Sequence, residues 1–324
     1  MNYPDINLCP LEIRKEFFGF WKNEGELVKT LFLFFGTILA AASASADPTK
    51  SSFFTNDFFG DGRDRWRSAS YTLFLGFEGE NTGGVAHDIR IRAEIISPWG
   101  SRNQPTGNDR PYVGMLGLGV FVNESFGQLQ YNVGAEILAT GDQTNIADFQ
   151  QGFHDLTGIA GYLPKDMPHE HVGDSVTGMV SAEFARGYTL AEGFYFRPFV
   201  GAQVGYETFG RVGFDILVDG YADAKRYVRD PISGFLQPAS PERASKMNDM
   251  SFLLGADYSY VTHSDFFPHW SDVEMTNERL RARAGVQVRI RKVSTFFGIT
   301  YLSKEFESQV ESQTIGVLSL EFPF

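Results

Sequence analysis

Apolar and polar residues alternate with a period of two along most of the chain. The segment "RLRARAGVQVRIRKV" (279–293) and the segment "HDIRIRAEI" (87–95) are the clearest cases. In the first, apolar side chains occupy one face and arginines most of the other: Leu280, Ala282, Ala284, Val286, Val288 and Ile290 against Arg281, Arg283, Gln287, Arg289 and Arg291. This pattern predicts β-strands with one apolar and one polar face.

About twelve segments are long enough to cross a bilayer as strands, which takes about 9–11 residues each. An even count is typical of single-chain bacterial barrels, and no boundary indicates a second domain. We expect the long connections, 221–249 and 262–278 among them, on the outer side and short turns on the periplasmic side. The predicted strands are 49–59, 67–78, 86–97, 111–122, 127–139, 177–188, 194–206, 210–220, 250–261, 279–291, 294–303 and 313–324.

Composition decides between a membrane barrel and a water-soluble β-sandwich, which would also alternate. The mean hydropathy of −0.19 argues against a helical membrane protein, and 34 Gly and 31 Phe suit a barrel. The chain closes on "TIGVLSLEFPF", where Leu318, Leu320, Phe322 and Phe324 share one face and an aromatic residue comes last. We therefore predict an all-β fold: a transmembrane antiparallel β-barrel of about 12 strands, with a short helix in a long loop.

The first 46 residues have the pattern of a cleaved export signal. Lys29 precedes the apolar run "LFLFFGTILAAA", and "ASA" (44–46) provides a cleavage site. We expect residues 1–27 to be a mis-annotated extension, and residues 47–324 to form the mature barrel in the bacterial outer membrane. Cys9 is the single cysteine, so the mature chain would contain no disulfide.

The net charge of −12 argues against nucleic acid as a partner. The arginines on the inward strand faces have two interpretations. They balance inward acids such as Glu136, Asp215 and Asp257 across a filled lumen, which is the favoured interpretation, or they form an anion-binding lumen.

The longest interruption of the strand pattern, 140–176, contains a predicted helix. Ile146, Phe149, Phe153 and Leu156 are spaced i, i+3, i+7 and i+10, Thr144 or Asn145 can cap the start, and Gly158 can end it. His154 would lie on this helix. "HEH" (169–171) and "GDSVTG" (173–178) are treated as loop and strand sequence, because no partner motif accompanies either.

Polar residues are also concentrated in "NDFFGDGRDRWRSAS" (56–70), at the first predicted strand and turn. Together with "ISPWG", "NDRPYVGMLGLG" and "ADFQQGFHDLTG", in this order, the segment resembles the outer-membrane lipid A 3'-O-deacylases of the LpxR type. The resemblance covers the whole mature chain. It implies a twelve-stranded barrel that uses Ca²⁺ to hydrolyse the ester linking the 3'-acyloxyacyl group to lipid A in lipopolysaccharide.

Carried over residue by residue, the resemblance implies a site of four groups. Asn56 and Asp57 match the family's N-D pair, Ser68 its hydroxyl residue, and His154 its catalytic histidine, with Ser70 the alternative to Ser68. Strand parity places Ser68, Ser70 and Thr72 on the lumen side. Asp57 is the expected Ca²⁺ ligand, with Asn56 a second candidate ligand, and Arg102 stands where the family has a basic residue for substrate or oxyanion.

These residue types suit ester hydrolysis. A histidine can act as the base that activates water, and polar or positive groups can stabilise the oxyanion. Asp64, Arg65, Asp109 and Arg110 are expected to join loops to strand ends. Two other functions stay open: a phospholipase of the outer membrane, and a non-catalytic channel or structural barrel.

Overall fold

A computed structural model describes residues 49–63, 65–78, 86–99, 109–157, 171–221, 224, 226–239, 249–290 and 293–321. These residues form fifteen strands and one α-helix, with short 3₁₀ turns between some of them. The elements are β1 (Thr49–Asn56), β2 (Trp66–Glu78), β3 (Ala86–Ser97), β4 (Val113–Phe126), β5 (Leu129–Thr140), α1 (Ile146–Thr157), β6 (Ser175–Arg186), β7 (Tyr188–Ala191), β8 (Phe194–Val204), β9 (Glu207–Val218), β10 (Tyr227–Arg229), β11 (Leu236–Pro238), β12 (Asp249–Ser264), β13 (Glu278–Ile290), β14 (Val293–Leu302) and β15 (Gln313–Glu321).

Twelve of these strands close into an antiparallel barrel, as the alternation predicts. β1 pairs with both β2 and β15, and the pairing of β6 with β8 closes the sheet. β7 pairs with the first residues of β8, and β10 pairs only with β11. Among the described residues, no helix is both long enough and apolar enough to span a membrane.

The outer surface of the barrel is apolar and its inner surface polar. On β13, Leu280 and Ile290 are exposed while Arg281 and Arg283 are buried, which confirms the predicted faces. Other outward side chains are Phe54, Tyr71, Val133, Ile137, Val180, Val200, Val212, Phe252, Leu254, Phe297 and Ile299. An apolar outward band of this kind is what a bilayer core requires.

Ion pairs fill much of the lumen. Arg92 contacts Glu136 at 2.7 Å, and Arg229 contacts Asp215 at 2.8 Å. Asp257 accepts from Arg281 at 3.0 Å. The three acids named from sequence thus all pair with arginine, which confirms the charge-balance interpretation for them.

The connection between β9 and β12 folds into the lumen, and its predicted position is wrong. β1 starts and β15 ends at one end of the barrel, here called the terminal end, and the opposite end is the loop end. β9 runs back to the terminal end, so the connection 219–248 begins there and not on the outer side with the other long loops. Residues 226–239, including the β10–β11 pair, form what we call the lumen hairpin.

The lumen hairpin is held by both apolar and polar contacts. Phe235 packs edge-on against Phe296 of the wall, with ring centroids 4.8 Å apart. It is fully buried, and burial of one such side chain contributes about 2–3 kcal/mol. On the polar side, Thr300 Oγ1 donates to the carbonyl of Ser233 at 3.1 Å. These contacts tie the hairpin to the barrel wall.

Candidate functional site

The first predicted site residue, Asn56, lies in the same row of paired residues as Gly114, where helix α1 packs against the barrel. Asn56 pairs with Ala69, Ala69 with Ile95, and Ile95 with Gly114, in one row across β1 to β4 at the loop end. A Cβ on Gly114 would lie 2.9 Å from Ile146 Cβ at the start of α1. Since neighbouring strands are about 4.8 Å apart, Asn56 and Gly114 are separated by roughly 14 Å.

Asp57 organises the turn that follows β1. Its carboxylate accepts the amide N–H of Arg65 at 2.6 Å, and its carbonyl accepts the amides of Gly60 and Asp61. Asp57 is almost fully buried. Asn56, by contrast, is half-buried and shares the parity of the outward Phe54, because β1 ends here and the chain turns.

The amide group of Asn56 retains hydrogen-bonding capacity. Its Oδ1 accepts the amide N–H of Phe58 at 2.9 Å. Its Nδ2 has no hydrogen-bond partner among the described residues. The side chain is thus fixed through its oxygen, with its two N–H donors left over.

Ser68 lies in a β-bulge, where the register between β2 and β3 shifts from Arg67 to Ala69. Its hydroxyl is buried and has no hydrogen-bond partner within the described part of the chain. The hydroxyl of Ser70, the alternative, is hydrogen-bonded to Thr55 Oγ1. Trp66, two residues before the bulge, has φ of 52°. This is a rare conformation for a bulky residue, so the start of β2 is locally strained.

Helix α1 forms as predicted, but it packs through a different face. Thr144 Oγ1 accepts the amide N–H of Ile146 at 3.3 Å, which confirms a capping role for this threonine. Ile146 and Gln150 are buried, and Tyr112 Oη donates to Gln150 Oε1 at 2.9 Å. Phe149, one of the residues whose spacing predicts the helix, is 68% exposed. The helix docks on β4 through positions i and i+4.

Position 154 lies on α1, one turn after Gln150, as the sequence predicts. The side chains of His154, Phe153 and Leu156 lie outside the described residues. So do Arg102, Asp64, Gly158, His169, the export segment and the final Phe322 and Phe324. Their predicted roles stay predictions.

The sequence pattern does not predict the layer of charged residues that lies beneath the loop end. Glu305, between β14 and β15, accepts from Arg67 Nε at 2.9 Å and from Arg110 Nη1. Arg67 also donates to Glu94 at 2.5 Å. Burial alone would raise the pKa of Glu305, but attraction to Arg67, Arg110 and Arg279 outweighs burial and holds that pKa well below its usual range. Glu305 follows β14 in an ordinary loop sequence, so no local signal marks it.

The loop residues expected to be structural are confirmed where they are described. Arg65 pairs with Asp61 at 2.7 Å and with Glu311 at 2.5 Å. Asp109 accepts from Trp66 Nε1 at 3.3 Å, and burial raises the pKa of Asp109. Arg110 is held by Glu305. These contacts fix the loops around the row from Asn56 to Gly114.

Within the described part of the chain, acidic side chains do not by themselves assemble a Ca²⁺ site. Calcium takes six to eight oxygen ligands. Within the described ranges no three His, Cys, Asp or Glu side chains come together as a metal site. The carboxylates near Asp57 are also engaged, because Asp61 and Glu311 both pair with Arg65.

The sequence matches no protein-family profile and no curated protein. Among solved structures, LpxR from Salmonella typhimurium is similar, with a TM-score of 0.69 and 17% identity over 85% of this chain and 100% of that one. The beta domain of the Bordetella autotransporter Brka has a TM-score of 0.47 and 10% identity, covering 86% of this chain and 100% of its own. The KdgM porin has a TM-score of 0.41 and 6% identity, covering 85% and 99%.

At 17% identity the likeness to LpxR is evidence of fold alone. The chain therefore has the fold of an outer-membrane β-barrel, closed by twelve antiparallel strands.

Proposed function

We propose that this barrel hydrolyses the ester that links the 3'-acyloxyacyl group to lipid A in the outer leaflet. The row from Asn56 through Ala69 and Ile95 to Gly114 carries the proposal. It places the N-D pair, the Ser68 bulge and the base of the loop helix on one arc of the loop end. Position 154 lies eight residues, about 12 Å, along α1 from Ile146, a distance comparable with the roughly 14 Å of the row.

Each of the proposed groups has a distinct task. His154 would act as the general base for a water molecule, with no covalent intermediate. The free N–H groups of Asn56 Nδ2 would donate to the developing oxyanion. Ser68, whose buried hydroxyl has no partner among the described residues, would orient the water or the ester. Asp57 would hold the turn, and with it Asn56, through its bond to the Arg65 amide.

Exposed aromatic side chains on the same arc suit a lipid substrate. Phe58 is 69% exposed and Phe59 46%, and the two rings are in edge contact. Phe149 on α1 is also exposed. Aromatic side chains at the membrane interface can contact acyl chains with their rings.

The filled lumen argues against the channel alternative. The lumen hairpin occupies the barrel interior, and Arg–carboxylate pairs occupy much of the rest. An outer-membrane phospholipase is the second candidate, because the same base and oxyanion donors would hydrolyse a glycerophospholipid ester. The sequence resemblance favours lipid A.

A Ca²⁺ requirement is a separate proposal that rests on the resemblance. Any complete ligand set would include groups beyond the described residues. The experiment for both proposals is mass spectrometry of lipid A from cells that produce the protein, with and without calcium chelation. Loss of the 3'-acyloxyacyl mass supports the deacylase, and its suppression by chelation supports the metal.

A further inference from the structure

A cavity of about 150 Å³ lies inside the lumen, and Arg67 and Glu305 of the charged layer at the loop end contribute to its lining. Its floor is the tip of the lumen hairpin, with Arg229, Pro231 and Ile232, and its walls come from the loop-end halves of the strands. Seven arginines line it, against four carboxylates. Three of these arginines also pair with carboxylates outside the lining: Arg67 with Glu94, Arg92 with Glu136 and Arg229 with Asp215.

Three of these arginines are neighbours on adjacent strands. Ser259 on β12 pairs with Arg211 on β9 and with Arg279 on β13, in a single row. Arg281 lies two residues from Arg279 on the same inward face, opposite Asp257. We call Arg211, Arg279 and Arg281 the arginine cluster.

The arginine cluster has more donors than its acids use. Arg211 uses only Nε, which donates to Ser259 Oγ at 2.8 Å and lies 3.3 Å from Asp257. Arg279 Nη1 donates to Glu207 at 3.0 Å, while its Nε and Nη2 are buried without a partner in the described residues. Arg281 Nη2 is buried and equally unbonded, while its other nitrogens bind Asp257 and two carbonyls of the lumen hairpin.

The opposite wall of the cavity also contains hydrogen-bond donors without acceptors in the described part of the chain. Arg90 is 7% exposed and makes no hydrogen bond within the described ranges. Its one ion-pair contact is to Glu136 at 3.9 Å. The nearby amide Nδ2 of Asn132 is also buried and unbonded. Buried donors of this kind are normally satisfied by a partner, and the residues that carry them line the cavity.

We propose that the cavity binds a small oxyanion of the phosphate class at the arginine cluster. Guanidinium groups suit phosphate because their paired N–H donors match its oxygens. Asp257 is shared by Arg281 and Arg283, and Glu207 accepts from Arg279 and Ser264, so these acids occupy only some of the donors of the cluster. Arg211 and Arg279 keep 18% and 13% of their side chains exposed, so solvent ions reach them.

Calorimetric titration of the purified, folded barrel in a phosphate-free detergent buffer tests this site. Inorganic phosphate, glucosamine 6-phosphate and uncharged glucosamine are the probes. We expect saturable binding of inorganic phosphate and none of glucosamine. Binding of glucosamine 6-phosphate as well would identify a phosphoryl group on a sugar as an accepted form, and its exclusion would restrict the site to the free ion.

The variants Arg211→Gln and Arg279→Gln should each raise the Kd for phosphate at least tenfold. Arg186→Gln is the matched control, because Arg186 is an exposed arginine at the terminal end of β6 and should leave the Kd unchanged. If Arg211→Gln does not fold, judged by heat-modifiable migration on gels, Arg211→Lys should give an intermediate Kd. Absence of saturable binding to the native barrel, or an unchanged Kd in both cluster variants, would overturn the proposal. The readout is binding, so it is independent of any deacylase activity.

Discussion

Thr72 Oγ1 donates a 2.9 Å hydrogen bond to Asp230 Oδ1, and this bond joins the barrel wall to the lumen hairpin. Asp230 is fully buried and also accepts the backbone amide and the hydroxyl of Ser233. One carboxylate therefore holds the turn of the hairpin and its attachment to β2.

Asp230→Ala should destabilise the barrel by about 3 kcal/mol, because it leaves three buried donors without their acceptor. Thr72→Val removes a single bond and should cost about 1 kcal/mol. Urea unfolding in detergent measures both.

Replacing 226–239 by a short Gly-Ser linker should produce steady current in planar bilayers, whereas the native barrel should give little. Porin-like conductance of the native barrel would contradict the view that the hairpin closes the lumen.

Substitution of Ser68 and of Ser70 should have opposite effects on activity and on stability. Ser68→Ala should lower deacylation by at least about tenfold while leaving stability nearly unchanged, since its hydroxyl has no partner in the described structure. Ser70→Ala should keep activity and cost about 1 kcal/mol, because it removes the bond to Thr55. Lipid A turnover and urea unfolding of the same preparations provide the two readouts. The reverse pattern would move the active hydroxyl to Ser70.

A substitution on the barrel wall can shift the position of helix α1. Gly114→Val adds bulk where a Cβ already lies 2.9 Å from Ile146 Cβ, so the start of α1 must shift. We expect activity to fall by about tenfold to a hundredfold with the barrel still folded, since small displacements of a catalytic group are costly. Gly178→Ala is the control, because nothing lies within 4 Å of a Cβ there. Unaltered activity in Gly114→Val would separate α1 from the chemistry.

The sequence predicts the wall of the barrel well because its signal is local. The parity of Arg281 and Leu280 depends only on neighbours two residues away, so alternation suffices. Burial of Ser70 and Thr72 on the lumen side follows from the same rule and is confirmed, whereas Ser68 is buried within the bulge, where the alternation is interrupted.

The lumen hairpin and the bulge depend on contacts that the sequence does not display. Phe235 packs against Phe296, and Asp230 accepts a hydrogen bond from Thr72. Both partners are far away along the chain, so the positions of Phe235 and Asp230 cannot be predicted from their sequence neighbours. The bulge at Ser68 changes register by one residue without a glycine to mark it. Phe149 fits the helical spacing, yet Gln150 is buried in its place because Tyr112 offers it a hydrogen bond.

The buried pairs of Glu305 predict a specific pH dependence. Since the pKa of Glu305 is lowered in the folded state, its contribution is present above the ordinary glutamate value of about 4.3 and is lost as pH falls through the folded value. Glu305→Gln should cost about 3 kcal/mol from pH 5 to pH 8, and the difference from the native protein should shrink below about pH 4.

Glu307→Gln is the control for this pair of curves, because Glu307 lies in the same loop and is exposed. It should unfold like the native protein at every pH. A Glu305→Gln difference that is absent at pH 7, or that stays constant down to pH 3, would contradict the assigned ion pairs.

The most direct test of the central claim is mass spectrometry of lipid A from cells that produce the native barrel, His154→Ala or His263→Ala. His263 is an exposed histidine at the loop end of β12 and serves as the matched control. We predict loss of the 3'-acyloxyacyl mass with the native barrel and with His263→Ala, and intact lipid A with His154→Ala. Intact lipid A in all three strains, with each barrel folded in the membrane, would contradict the deacylase. Release of fatty acid from phospholipids in its place would identify the phospholipase.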